Sequence, residues 1–520
     1  MSSSVANAST ASVATATTYR IRPLWEDFSY FSHQLEGIQW MMDKEKNGTI
    51  VSERTGNGTR VVRGGLQCDD MGLGKTIQIT SVMVNNPQKV TLLLAPLAMI
   101  ETWTSVCRRA GMAVFEADSK GSFAPWKNVN QVGDSFPKRF CKMRPAIYIT
   151  NYEKLYTNDA LFEGQWDRIV LDEAHKIRNG DGQVARAARK INAPIRWAVT
   201  GTPLVNSLKD VVSILAFLGV PYSPLWRWEP RYLEILPQIV IHRSLNSLRS
   251  IIQGAPPVPE INEMVLPFMS EEEEEFYYGI QGATESMMKK YAKELLGSAQ
   301  AFKLLLRLRQ ISVHPQVYIN AKRREDSSYY RKDWLLPSTK LNAVANIIKS
   351  DDDKKVHKYI IFCQFTDEIE IFREYLVGMN LVSEENVLVY DGSLSQEKRT
   401  AVLRKSKETV ETTVLLLQLQ AGGVGLNLQE YDRIVFVSPY WTAALMDQAI
   451  ARAVRMGQKE VVRVYHLRLE AEKENTVNID ELVNAKAEEK RRMLVKLFSL
   501  CAKGEAYEEG EDGGDDSDEE

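Results

Sequence analysis

Two stretches of this 520-residue chain repeat one pattern: a short apolar run, then small or acidic residues, then a longer stretch of helical periodicity. In the first block the runs are Thr91–Ala95, Ala146–Thr150, Arg168–Leu171 and Trp197–Val199. In the second they are Tyr359–Phe362, Val387–Tyr390, Val414–Leu417, Ile434–Val437 and Val461–His466. Runs this short and continuously apolar fit strands covered on both faces, as in a parallel sheet flanked by helices. Strand–helix alternation implies an α/β architecture, and its recurrence implies two lobes. The expected fold is two tandem doubly wound parallel-sheet lobes, 21–220 and 336–485, joined by a helical insertion or brace, 221–335. Residues 1–20, rich in Ser, Ala and Thr, are expected to be disordered. Residues 486–520 are expected to form a C-terminal helix and an acidic disordered tail. Within the insertion, Ser270 and Glu273 fit a capping box, and Leu304, Leu305, Leu308 and Ile311 recur as a helical packing stripe.

Composition narrows the class. With 44% hydrophobic and 26% charged residues, wholesale disorder, collagen and coiled coil are excluded. No run approaches the 18 or so apolar residues of a membrane span, and the uncharged first residues lack an apolar core, which argues against membrane partners and secretion. Cys68, Cys107, Cys141, Cys363 and Cys501 lie far apart with no CxxC, the pattern of reduced intracellular thiols without structural zinc. The net charge of -3 hides an asymmetry: Glu505–Glu520 hold ten carboxylates and no Lys or Arg, leaving +7 on residues 1–504. Such a tail reads either as a solvated solubility segment or as a polyanion that competes with nucleic acid for a basic groove.

The stretch Asp69-Asp70-Met71-Gly72-Leu73-Gly74-Lys75-Thr76 follows a strand-like segment and precedes a helical one, Ile77–Val84. Its physical tasks suit phosphate. Gly72 and Gly74 let backbone N–H groups close on oxygens, the helix start adds its positive end, Lys75 neutralises charge and Thr76 offers a hydroxyl to Mg²⁺. Asp69 occupies the position where a strict P-loop has its first glycine. Further on, Arg168–Leu171 delivers Asp172-Glu173-Ala174-His175 to the carboxyl end of a buried strand, where ligands of open α/β sheets bind. Two adjacent acids there are costly to bury for structure alone. Asp172 can hold Mg²⁺, and Glu173 can activate water as general base. Gln448, Arg452 and Arg455 stand at i, i+4 and i+7, which on a single helix gives one face with a glutamine and two guanidinium groups.

These residues, taken with His33–Ile38, Met71–Gln78, Leu94–Pro96, Thr200–Leu204, Leu306–Gln310, Ile361–Thr366, Ala421–Leu428 and Asp447–Gln458 in that order, resemble helicase superfamily two. They are similar in particular to the SWI/SNF family of helicase-like, DNA-translocating ATPases, over about residues 30 to 470. The wording of several stretches is closest to its post-replication-repair and transcription-release subgroup. The resemblance implies RecA-like lobes, ATP and Mg²⁺ as cofactors, and a hydrolytic core of Lys75, Thr76, Asp172 and Glu173. It implies Gln34 as the adenine-reading glutamine, and Asp69, Gly72, Gly74 and Gln448 as further nucleotide contacts. His175, Thr200 and Thr202 become the residues that link phosphate state to lobe closure, and Arg452 and Arg455 the arginine fingers. Loops around Pro96, Thr150-Asn151-Tyr152, Gln364-Phe365 and Gly422, Gly423 and Asn427 would contact the DNA backbone, with Lys289, Lys290, Lys293, Lys322, Arg323 and Arg324 as possible additions.

The chain departs from relatives at Ser438–Ala443, where they often read Asp-Pro-Trp-Trp-Asn-Pro, and at Val454, often His. The short, cysteine-free His314–Ser338 leaves no room for the RING insertion of ubiquitin-ligase relatives. The implied partner is double-stranded DNA read without sequence specificity, with nucleosomes or transcription and repair complexes beyond it. The implied location is intracellular: the nucleus, or a viral DNA-replication compartment. A strand-separating DNA or RNA helicase and a nucleotide-gated scaffold without motor activity stay open as alternatives.

Overall fold

The computed structural model describes residues 18–52, 59–117, 145–156, 160–221, 230–292, 298–351, 355–419, 426–470 and 478–503. Among them, β1 (Thr49–Ser52), β2 (Thr59–Gln67), β3 (Val90–Leu94), β4 (Ala113–Glu116), β5 (Ala146–Thr150), β6 (Arg168–Asp172), β7 (Ile195–Val199) and β8 (Val240–Ile241) form one sheet. Its order is β1-β2-β7-β6-β3-β5-β4, with β8 also beside β2. Only the β1–β2 pairing is antiparallel. A second sheet takes β9 (Glu260–Leu266), β10 (Lys358–Cys363), β11 (Val387–Tyr390), β12 (Thr413–Gln418), β13 (Arg433–Phe436) and β14 (Arg463–Leu469), in the order β11-β12-β10-β13-β14-β9. Every pairing in it is parallel.

The continuous apolar runs are explained by burial on both faces. Leu92, Leu94, Ile169 and Leu171 enter one core cluster, while Leu93, Ile149 and Val170 enter another on the opposite face. The second sheet divides likewise, with Ile360 and Phe362 on one side and Tyr359, Ile361 and Cys363 on the other. This is the two-sided covering expected of parallel sheets.

Register fixes where the site lies. Gln67 pairs with Val199, and Val199 with Asp172. The loops leaving β2, β6 and β7 therefore emerge side by side at one edge. Leu94, aligned with both Leu171 and Thr150, brings the loops after β3 and β5 to the same edge.

Three expectations need correction. The stretch 221–335 is not purely helical, because it gives β8 to the first sheet and β9 to the second. Glu260–Leu266 alternates exposed and half-buried positions rather than forming an apolar run, as suits an edge strand, and so escaped a search for buried strands. The capping box is half made. Ser270 Oγ accepts Glu273 N at 3.2 Å, but the Glu273 carboxylate turns inward to Thr339, accepting its N–H at 2.9 Å and its hydroxyl at 2.7 Å. Finally, the C-terminal helix starts at Ile479, ahead of 486. Its first turns pack with Tyr277 and Leu308, while Met493, Leu494, Leu497 and Phe498 reach the core of the first lobe. At 1.5 Å per residue its 25 residues span about 37 Å, enough to lap both lobes. The tail Glu505–Glu520, Cys141 and residues 1–17 lie outside the described residues.

Candidate nucleotide site and strand-end loops

Gly72 and Gly74 take φ of +87° and +79°, the left-handed region that favours glycine. At Gly74 a Cβ would also stand 2.5 Å from Gln34 Nε2. The loop thus closes as the phosphate reading requires, and the helix Lys75–Asn85 starts directly from it. Lys75 Nζ donates to the carbonyls of Asp69 at 2.7 Å and Asp70 at 3.2 Å. Thr76 sits half-buried in the first turn. Gln34, on the helix Ser32–Lys46, is buried against the loop, donating to Leu73 O at 3.4 Å and accepting from Phe31 N at 3.2 Å.

The departure at Asp69 has a structural reason. Its fully buried carboxylate accepts Arg243 Nε at 2.9 Å, Gln67 Nε2 at 3.2 Å and Gln78 Nε2 at 3.0 Å. Arg243 also donates to Gln78 Oε1 at 2.8 Å and to the His33 carbonyl. The Asp69 carboxylate, which the resemblance implied as a nucleotide contact, is the anchor that fastens the loop to the segment after β8. Arg243 was missed because its pairing with Asp69 spans 174 residues and no local pattern announces it.

Asp172 and Glu173 are brought together with Lys75 and the second lobe. Asp172 Oδ2 accepts the indole N–H of Trp103 at 2.7 Å, Oδ1 accepts Glu173 N at 3.1 Å, and its carbonyl accepts the Tyr152 hydroxyl at 2.6 Å. Burial, then the charge of Glu173, pushes the Asp172 carboxyl up to about 6. Burial also acts on Glu173, but the His175 ring and the cations Lys75 and Arg452 outweigh it and hold that carboxyl below its ordinary range. Glu173 has φ of +51°, a conformation that costs a side-chain-bearing residue about 1–3 kcal/mol and is concentrated at functional sites. His175 Nδ1 lies 3.3 Å from both Glu173 Oε2 and Thr200 Oγ1, and 3.5 Å from Thr202 Oγ1.

From the second lobe, Gln448 Nε2 donates to Thr202 Oγ1 at 2.9 Å. Gln448 thus contacts the other lobe, whereas the resemblance made it a nucleotide contact. Arg452 is half-buried and lies within the electrostatic influence of Glu173. Arg455 comes against the P-loop, its Cβ 3.9 Å from where a Cβ on Gly72 would lie. The single-face argument is corrected: the helix ends at Ala453 and Val454 leaves it with ψ of 83°, so Arg455 reaches the loop from a turn. A cavity of about 420 Å³ lies between the lobes, bordered by Asp70, Met71, Thr202, Gln448, Val454 and Phe498. A larger groove, about 690 Å³, follows the β11 edge past Arg373 and Lys405 and shares no residue with this site.

The proposed DNA loops fare unevenly. Thr150 is 1% exposed, so its side chain is withdrawn from any surface; its carbonyl accepts Ala95 N at 3.0 Å, tying the Pro96 and Asn151 loops together. Gln364 and Phe365 are half-buried, their N–H groups donated to Glu368 Oε2 at 2.7 and 3.0 Å. Asn427 is exposed. Gly422, Gly423 and Lys293, with the side chains of Lys289 and Lys290, lie outside the described residues. Arg323 pairs with Asp333 at 2.6 Å, Arg324 with Asp367 at 2.5 Å, and Lys322 lies 3.9 Å from Glu325.

With this geometry in view, comparison with known proteins is decisive. Residues 33–317 match the SNF2-related domain, and 339–457 the helicase conserved C-terminal domain. The chain belongs to the SNF2-related family. It is accordingly a helicase-like, DNA-dependent ATPase. It is 26% identical over 490 residues to a "Probable global transactivator" of Orgyia pseudotsugata multicapsid polyhedrosis virus, covering 90% of this chain and 91% of that one. It is 24% identical over 497 residues to "Protein CHROMATIN REMODELING 4" of Arabidopsis thaliana, covering 90% of this chain but 21% of the longer one. A solved Sulfolobus solfataricus SWI2/SNF2 ATPase core in complex with dsDNA is similar at 20% identity, TM-score 0.37, with 93% of this chain and 98% of that one covered. Among the described residues no helix is long and apolar enough to cross a membrane, and no group of three or more His, Cys, Asp or Glu could hold a metal ion.

Proposed function

We propose that this chain is an ATP-driven translocase on double-stranded DNA that remodels or displaces what is bound there. The observation that carries this reading is the contact across the cleft, Gln448 on Thr202, with the charge of Arg452 acting on Glu173 from the same lobe as Gln448. A site completed by both lobes turns over only when they close, so a track that aligns the lobes sets the rate.

The substrate is ATP, accompanied by Mg²⁺. Thr76 and Asp172 would hold the metal, which supplies positive charge to the transferring phosphoryl group. The fit is chemical: Asp172 spends two acceptor positions on Trp103 and Glu173 N–H, of roughly four that a carboxylate offers. Glu173, kept ionised by its cations, accepts a proton from water. Lys75 gives up its loop carbonyls for phosphate oxygens, and Arg452 and Arg455 balance the charge that develops. The adenine role of Gln34 belongs to the same reading.

The strand-end loops grip phosphates, which position a protein without reading sequence. Nucleosomes or transcription and repair complexes follow as partners, in the nucleus or in a viral DNA-replication compartment.

The test is ATP turnover with duplex DNA, single-stranded DNA or RNA, together with displacement of a triplex third strand. Duplex stimulation with displacement supports the proposal. Stimulation by single strands with duplex unwinding would replace it with a strand-separating helicase, and no turnover would leave a nucleotide-gated scaffold.

A further inference from the structure

We propose that Trp103 and Tyr152 are positioning residues that aim Asp172 and connect it to the two strand-end loops of the first lobe; the inference rests on the nucleotide role of Asp172 proposed above.

Trp103 is fully buried, among Leu93, Ile149 and Val170 of the sheet, yet its one polar atom is directed at Asp172 Oδ2, 2.7 Å away. An indole N–H is a donor only, so the bond holds the carboxylate in one orientation. The second oxygen is fixed by Glu173 N at 3.1 Å. Tyr152, 3% exposed, donates to the Asp172 carbonyl at 2.6 Å and so fixes the backbone that the carboxylate hangs from. Carboxylate and backbone are thus held by two different elements.

Each donor follows closely on a loop. Trp103 lies in the first turn of the helix Ile100–Arg109, directly behind the short turn Leu97–Met99. Tyr152 opens the turn Tyr152–Tyr156, next to Asn151. The loops are joined to each other by Ala95 N to Thr150 O at 3.0 Å. Leu97 at the tip of the first loop is 71% exposed, while two polar atoms in the second, Thr150 Oγ1 and Asn151 Oδ1, are buried without a hydrogen-bond partner. A backbone ligand that shifts either loop moves a donor on Asp172 by the same rigid turn. Outer hydrogen-bond partners of this kind typically change metal affinity by about 10- to 100-fold when removed.

The experiment uses the full chain carrying Trp103→Phe, which keeps an aromatic ring in the pocket and deletes the donor, and Tyr152→Phe, which deletes one hydroxyl. Mn²⁺ binding to the protein with a non-hydrolysable ATP analogue is read by electron paramagnetic resonance, and nucleotide affinity is measured with and without chelator. Trp103→Phe is expected to weaken Mn²⁺ binding about 10- to 100-fold with metal-free nucleotide affinity unchanged, and to raise the Mg²⁺ concentration for half-maximal turnover in parallel. Tyr152→Phe is expected to retain Mn²⁺ affinity within about threefold but to lose most of the stimulation of turnover by duplex DNA. Unchanged Mn²⁺ binding in Trp103→Phe overturns the proposal, as does equal loss of metal-free nucleotide binding, which would mark plain core packing. Full stimulation in Tyr152→Phe removes the link to the loops. Because the metal readout needs no DNA, a wild-type chain that binds Mn²⁺ with nucleotide yet ignores duplex DNA would defeat the translocase reading separately.

Discussion

Both lobes bury carboxylates at the carboxyl ends of their strands, and the two sets keep different company. In the first lobe, Asp172 and Glu173 face Lys75 of their own loop and Arg452 from across the cleft. In the second, Asp480 is enclosed by its own lobe and the insertion: Lys340 Nζ at 2.6 Å, Ser312 Oγ at 3.2 Å and Leu469 N at 3.0 Å. Glu368 accepts the N–H groups of Gln364 and Phe365, and the charges of Lys340 and Arg309 act on it. Lys340 also donates to Ser438 at 2.6 Å, in the loop that leads to the arginine-bearing helix. The difference separates two uses of buried charge. Asp480 and Glu368 hold loops in place, whereas Asp172 and Glu173 sit under the charge of Lys75 from their own loop, and Glu173 also under that of Arg452 from the other lobe.

A large effect of this contrast is expected on turnover. Glu173→Gln should lower ATP hydrolysis by about 10²- to 10⁴-fold, the usual worth of a general base, while nucleotide binding persists. Lys75→Ala should lose nucleotide binding itself. Equilibrium binding of a fluorescent nucleotide beside single-turnover hydrolysis separates the two, and a Glu173→Gln chain of normal rate would erase the distinction between the lobes.

Next is stability. Lys340→Met leaves Asp480 buried without its cation, which should cost about 3–5 kcal/mol. The first lobe has its own internal pair, Glu45 with Arg168, 0% and 1% exposed, and Arg168→Met should cost a similar amount. Denaturant melts check both. A Lys340→Met chain of wild-type stability that turned over slowly would make the second-lobe charges catalytic after all.

A pH effect sharpens the comparison further. Burial pushes Glu368 up to about 7, against backbone N–H bonds from Gln364 and Phe365 that pull it down. A carboxyl raised in the folded state contributes stability that is present below its unfolded pKa and is lost as pH rises through the folded one. Wild type should therefore gain stability relative to Glu368→Gln as pH falls from 8 to 5, measured by thermal melts. The smallest effect is expected for Gln448→Ala, which removes one hydrogen bond across the cleft and about 0.5–1.5 kcal/mol, read as a modest loss of duplex stimulation.

How much of this was legible follows the same division. The glycines of the P-loop, the acids after β6 and the strands β3, β5, β6, β7 and β10–β14 are local patterns, and these stand within a residue or two of where the apolar runs put them, apart from a shift at β14. What was hidden is pairing over distance. Nothing near Asp69 announces Arg243, and nothing near Asp172 announces Trp103, because a buried ion pair or indole bond leaves no periodicity in the chain. Arg455 shows a third case. Heptad-like spacing after Gln448 implied one helix face, but the helix stops at Ala453 and Gly457, with φ of +102°, belongs to the turn that follows. The edge strands β1, β4 and β9 and the two-residue β8 were missed because they lack the continuous burial that made the other strands visible.

The central claim, that one nucleotide site is assembled from both lobes, is tested most directly by Arg455→Ala. Triplex displacement and duplex-stimulated ATP turnover should be measured beside DNA and nucleotide binding. The account predicts that both kinds of binding persist while turnover drops by about 10³- to 10⁵-fold, the range of arginine fingers elsewhere, and displacement stops. An Arg455→Ala chain that displaces the third strand at the normal rate would contradict it.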